Sequence, residues 1–129
     1  MNEIDREWLL DMLDYARKAT RILGTADAKA LAADERSFLA LSYAVQVIGE
    51  AAGKVSPEGR AALPSISWQD AIAMRHRLVH GYRGRSAEII VQTITDKLPD
   101  LIIALDSVVG QDINGAVELA TKRDCGSRQ

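Results

Sequence analysis

The 129-residue chain is poor in cysteine, proline and aromatic residues. Its single cysteine, Cys125, excludes an internal disulfide and a zinc site built from cysteines. Only 5% of the residues are aromatic and only three are proline, whereas good helix formers such as Ala and Leu are abundant. This balance favours an all-helical fold over a β-sandwich.

Long hydrophobic runs and a leader-like start are also missing. The uncharged stretch in the most apolar region, Ser37 to Gly49, has 13 residues, whereas a membrane span needs roughly 18 to 20. The first residues lack the basic start and the apolar run of a signal peptide. We therefore expect no membrane partner and a cytoplasmic location.

The charge is nearly balanced overall but unevenly distributed. Sixteen basic and 18 acidic residues give a net charge of −2, so the whole molecule would not be drawn onto nucleic acid. No acidic residue occurs between Ala71 and Ala87. The basic residues of this stretch are Arg75, His76, Arg77, His80, Arg83 and Arg85.

Apolar residues spaced by three or four predict a helix over about 5–23, ended by Gly24, and one long central helix over about 27–55. Ser56 and Pro57 begin a short element. Ser67 then begins another helix, with Asp70 as the partner in a capping box.

The remaining pattern completes the predicted domain. Ser86 is expected to cap a last helix that Pro99 kinks, and residues 110–129 form a flexible tail. Residues 1–109 are thus predicted to form one up-and-down helical bundle of four main helices and one short helix.

Both histidines lie in the acid-free stretch, where their chemistry suits phosphodiester cleavage. An imidazole exchanges a proton near pH 7, and a guanidinium holds two phosphate oxygens. On an ideal helix Arg75 and His80 would point about 140° apart. Either the helix deforms near Gly81, or another element or a second copy of the chain completes the site.

Two plainer interpretations of this stretch stay open. His76 and His80 are four residues apart and could share a face as two ligands of a metal ion. Alternatively, the stretch is a solvated basic helix face with no chemistry.

Arg75, His80 and Tyr82 form the pattern R-x4-H-x-Y, which resembles the HepT-type toxins of the HEPN ribonuclease superfamily. The flanking sequence is similar to the same family over roughly residues 5–109. The segments that carry this similarity are Ala44 to Ala52, Ser56-Pro57, Pro64, Trp68 and Leu98-Pro99.

The resemblance implies a homodimeric HEPN bundle with the motifs facing a shared cleft. It implies a metal-independent endoribonuclease without a cofactor, in which Arg75 binds the scissile phosphate and His80 is the general base or acid. The expected products are a 2′,3′-cyclic phosphate and a 5′-hydroxyl.

The family further implies a type VII toxin–antitoxin system. The expected partner is an MNT-domain nucleotidyltransferase antitoxin of the MntA type that silences the toxin by adding AMP to Tyr82. Further candidate RNA contacts are Arg77, Arg83, Arg85 and His76. Glu50 is a supporting residue, either buried with an arginine partner or exposed at an edge.

Two alternatives to the toxin remain. One is a noncatalytic HEPN bundle that binds a nucleotidyltransferase or a nucleotide. The other is a helical interaction protein whose motif is fortuitous. One departure from relatives, Gly81 directly after His80, bears on how the motif is presented.

Overall fold

The computed structural model describes residues 1–76 and 83–110, and every regular element in these two ranges is helical, which confirms the predicted all-α class. The elements are α1 (Glu3–Leu23), α2 (Ala28–Ala33), α3 (Glu35–Lys54), α4 (Pro57–Ala61), α5 (Trp68–Ala73), a 3₁₀ turn (Met74–His76), α6 (Arg83–Asp96) and α7 (98–110). No helix in these ranges is long and apolar enough to cross a membrane.

The first helix begins and ends close to where the sequence predicts. The side chain of Asn2 accepts a hydrogen bond from the backbone N–H of Asp5 at 2.7 Å, which caps α1. Gly24 follows the helix with φ of 56°, a conformation that residues with a Cβ rarely adopt. The boundary signals at both ends of α1 are therefore local.

The predicted continuous helix over 27–55 is wrong, because Asp34 divides it into α2 and α3. Asp34 has extended backbone angles, and its carboxylate accepts hydrogen bonds from the backbone N–H and the hydroxyl of Ser37 at 3.2 and 2.7 Å. An aspartate that satisfies the free N–H groups of a new helix competes with continuation of the old one.

The short elements follow only part of the predicted pattern. Ser56 caps α4 as expected, since its hydroxyl accepts from the N–H of Gly59 at 3.0 Å. The predicted capping box at Ser67 is wrong, because its side chain makes no capping bond and Asp70 pairs instead with Lys97 at 3.4 Å. The helix that begins at Trp68 tightens into the 3₁₀ turn at Met74, whereas the sequence predicts that it continues until Gly81 and Gly84 break it.

The last part of the fold is helical with one interruption. Helix α6 begins at Arg83, so Ser86 lies buried inside it and is not its cap. The predicted single last helix is divided at Lys97, two residues before Pro99, into α6 and α7. Gly110 is still helical, and residues 111–129 of the predicted tail lie outside the described residues.

Helices α1 and α3 form the centre of the bundle and run antiparallel. The contacts that fix their direction are Asp5 with Ser56, Trp8 with Lys54, and Tyr15 with Tyr43. Their apolar faces meet in the core and are covered by α6, α7 and the shorter helices. The largest fully buried side chains of this core include Leu9, Met12, Leu13, Leu31, Leu41, Ile48, Ile90, Leu98 and Leu105.

A buried carboxylate ties the start of α1 to the end of α3. Asp5 is only 2% exposed and accepts hydrogen bonds from the N–H and the hydroxyl of Ser56 at 2.9 and 2.5 Å. These bonds to the ionised form hold the pKa of Asp5 below its ordinary value. Gly59 packs directly on this carboxylate, with no space for a side chain.

The lowered pKa of Asp5 predicts a pH-dependent contribution to stability. Because folding favours the ionised form, the contribution is fully present above the unfolded pKa of about 3.9 and is lost as the pH falls through the lower folded pKa. Asp5→Asn should lower the melting temperature at pH 7 and do so much less near pH 2.5. Thermal unfolding of both proteins across this range tests the prediction, and a difference that does not change with pH would contradict it.

Candidate functional site

Arg75 lies in the 3₁₀ turn, and its backbone is pressed against Gly49 in the middle of α3. A Cβ added to Gly49 would lie 2.8 Å from the Cβ of Arg75 and closer still to its backbone nitrogen. Gly49 is buried and has no space for even a methyl group. The absence of a side chain at Gly49 therefore determines how closely the turn that carries Arg75 approaches the central helix.

The side chain of Arg75 extends along α3 toward the end of that helix. A Cβ added to Gly53, one turn after Gly49, would lie 3.6 Å from Nη1 of Arg75, which is an ordinary contact. The two glycines thus form one small face of α3. The first admits the backbone of the turn, and the second lies beneath the guanidinium.

The guanidinium borders an open pocket between the start of α1 and the end of α3. Its volume is about 490 Å³, and its lining residues are Trp8, Glu50, Gly53, Lys54 and Arg75. Glu50 is exposed, so the interpretation of this residue as a buried acid is wrong and the exposed alternative is confirmed. The structure places Glu50 and Arg75 in the same lining, whereas they are 25 positions apart in the sequence.

Trp8 and Lys54 line the same pocket as Arg75. The ammonium of Lys54 lies over the indole ring of Trp8, 5.6 Å from the centroid, a cation–π contact. Trp8 is half-buried and Lys54 is exposed. Two carbonyl groups at this end of α3 accept hydrogen bonds from the guanidinium of Arg60, Gly53 O at 3.2 Å and Val55 O at 3.0 Å.

The other predicted site residues are only partly visible. His76 ends the 3₁₀ turn beside Arg75, and Arg83 and Arg85 lie in the first turn of α6; the side chains of these three are not described. Arg77, His80 and Tyr82 lie outside the described residues. Within residues 1–76 and 83–110, no cluster of three His, Cys, Asp or Glu side chains could hold a metal ion.

The pocket residues that come from α1 and from the end of α3 do not stand out in the sequence as site residues. Trp8 fits the apolar stripe of α1 and carries no separate signal, and Lys54 resembles any basic residue in a last helical turn. The spacing of Gly49 and Gly53, four residues apart in an apolar helix, is a usable signal because it predicts close approach of another backbone.

Comparison with known proteins gives the family. Residues 12–108 match the family model described as ribonuclease HepT-like, which covers most of the bundle including Arg75 and Tyr82. The chain belongs to this HepT-like ribonuclease family, so the fold and family expected from the motif are confirmed. No solved structure matches the chain.

Individual relatives are distant. A Thermococcus cleftensis protein named as a candidate HepT ribonuclease is 28% identical over 68 residues, which span 53% of this chain and 62% of the relative. A Methanocaldococcus jannaschii protein named as a candidate RNase is 25% identical over 88% of this chain and 93% of its own length. A Caldanaerobacter subterraneus protein with the same kind of name is 33% identical over 44% of this chain and 51% of its own length.

The two glycines of α3 predict opposite effects of the same substitution. Gly49→Ala forces the turn away from α3 and should cost about 1 to 3 kcal/mol of unfolding free energy. Gly53→Ala fits the available space and should be neutral or stabilise by up to about 1 kcal/mol, since alanine favours the helix. The urea midpoints of unfolding of both variants test this prediction. Equal midpoints would show that Gly49 does not set the position of the turn.

Proposed function

We propose that this protein is a metal-independent endoribonuclease toxin whose site combines Arg75 and His80. The observation that supports this most strongly is the placement of Arg75 on the border of an open pocket, fixed from behind by Gly49. A cation held in position by the fold can stabilise charge that develops on a phosphate, without reorganising during the reaction. Membership in a ribonuclease family and the pattern R-x4-H-x-Y support the same role.

The proposed reaction is an internal transfer within the RNA strand. His80 takes the proton from a 2′-hydroxyl of the RNA. The oxygen of that hydroxyl attacks the neighbouring phosphorus while Arg75 binds the nonbridging oxygens. The bond from phosphorus to the 5′-oxygen breaks, and that oxygen takes up a proton. The products are a 2′,3′-cyclic phosphate and a 5′-hydroxyl, so neither water nor a cofactor is consumed.

A homodimer would place two such motifs around one cleft. The acid-free stretch 71–87 of each copy would then supply a longer basic track for a single RNA strand, to which Arg77, Arg83, Arg85 and His76 contribute. Glu50 supports the site from the pocket lining.

The proposed regulation acts on Tyr82, two residues after His80. A cognate nucleotidyltransferase antitoxin would transfer AMP to the tyrosine hydroxyl. The added phosphate places negative charge in the basic stretch, where it repels the RNA backbone and competes for the arginines. The toxin and its antitoxin would then form a type VII pair.

Substitutions at Arg75 and His80 test the catalytic proposal. His80→Ala and Arg75→Ala should each lower the single-turnover rate of RNA cleavage by about 100-fold or more, because a general base and a charge-stabilising donor are lost. Arg36→Ala, which removes an exposed arginine at the start of α3, is the matched control and should cleave normally. The assay uses purified folded protein in EDTA, with growth on induced expression as a parallel measurement.

The outcomes separate the proposal from its main alternative. Wild-type cleavage that persists in EDTA and depends on both residues supports the enzyme. Folded protein that lacks the AMP modification and still cuts no RNA would favour a noncatalytic bundle that binds a nucleotidyltransferase or a nucleotide.

Tyr82→Phe tests the regulation separately. The variant should keep the cleavage activity, since only the hydroxyl is removed, and it should escape inhibition when the nucleotidyltransferase is co-expressed. Intact-mass measurement should show added AMP on the wild-type chain and none on the variant. Inhibition of Tyr82→Phe to the wild-type extent would show that binding alone silences the protein.

A further inference from the structure

We propose that the pocket between α1 and α3 is a nucleotide subsite, in which Lys54 moves from the indole face of Trp8 to bind an RNA phosphate and Trp8 stacks on a base of the same strand. The proposal rests on the proposed RNA cleavage and adds to it the contacts that hold the strand beside Arg75. Trp8, Lys54 and Arg75 line one pocket, so a strand whose scissile phosphate lies at Arg75 can reach the other two.

The residue types in the lining match what single-stranded RNA presents. An aromatic face stacks with any base, and a nearby ammonium binds the backbone by charge. Trp8 is held by its half-buried position in α1, and the pocket is open on the solvent side. Glu50 in the same lining disfavours a free, multiply charged anion, whereas its oxygens can accept hydrogen bonds from a base amino group or a ribose hydroxyl.

A second lysine lies over an aromatic ring on α1, and this pair serves as a comparison for Lys54 and Trp8. Lys18 lies 4.8 Å from the ring centroid of Tyr15, and its ammonium is also bound by Asp14 at 2.8 Å. The Tyr15 ring is in turn packed edge-on against Tyr43. That lysine is fixed by a carboxylate, whereas Lys54 is exposed, forms no ion pair with any residue in 1–76 and 83–110, and borders the pocket of Arg75.

The test is RNA binding by the His80→Ala protein, which isolates binding from cleavage. The probe is a fluorescein-labelled single-stranded RNA oligonucleotide, titrated at several salt concentrations. Trp8→Leu should weaken binding about ten-fold, as expected for one lost stacking contact, and Trp8→Phe should restore most of it. Lys54→Ala should weaken binding and reduce the salt slope by about 0.7, the value for one phosphate contact on a single strand.

The matched controls are Tyr15→Leu and Lys18→Ala in the same background, which should bind within about two-fold of the parent. The stacking is also read directly from tryptophan fluorescence. In a Trp68→Phe background Trp8 is the single tryptophan of the chain, and RNA should quench it. If Trp8→Leu does not fold, the proposal is still tested by the affinity and salt slope of Lys54→Ala and by the quenching of Trp8 fluorescence.

Failure of this proposal is distinct from failure of the proposed function. If the His80→Ala protein binds RNA and the variants at Trp8 and Lys54 bind it equally well with an unchanged salt slope, the subsite is wrong and RNA cleavage stands. If the parent protein does not bind RNA and the wild-type chain does not cut it, both proposals are overturned.

Discussion

The structure depends most on one close contact, the backbone of Arg75 against Gly49. Because α3 carries no side chain at this point, the 3₁₀ turn can lie directly on the central helix. Gly53, one turn further, leaves room for the guanidinium to extend toward the end of α3. The position of the proposed catalytic cation is thus fixed by the absence of a side chain at Gly49, and the same face of α3 leads into the open pocket.

A second constraint acts at the far side of that pocket. The buried carboxylate of Asp5 binds Ser56, and this holds the first turn of α1 against the junction of α3 and α4. Trp8 lies one turn after Asp5, and Lys54 lies two residues before Ser56. The hydrogen bonds of a single aspartate therefore keep both proposed RNA contacts at the same end of the bundle as Arg75.

The sequence predicts the class of fold and the ends of several helices, because these depend on local periodicity and on boundary residues such as Gly24 and Ser56. The break at Asp34 was not predicted, since the apolar spacing continues through it. The capping bonds of this one aspartate determine that two helices form instead of one. The 3₁₀ turn at Arg75 was not predicted for a different reason. It is imposed by packing on Gly49, a residue 26 positions earlier, and so is tertiary in origin. The motif pointed to Arg75 from sequence alone, whereas Trp8 and Lys54 come together only through the antiparallel packing of α1 and α3.

The chemical nature of the cleaved ends tests the central claim most directly. RNA is incubated with the purified protein in EDTA and ¹⁸O-labelled water, and the earliest fragments are analysed by mass spectrometry. Attack by the 2′-hydroxyl predicts 2′,3′-cyclic phosphate and 5′-hydroxyl ends without ¹⁸O. Fragments with 5′-phosphate ends, or with ¹⁸O in the first-formed phosphate, would show that water is the nucleophile and would contradict the account.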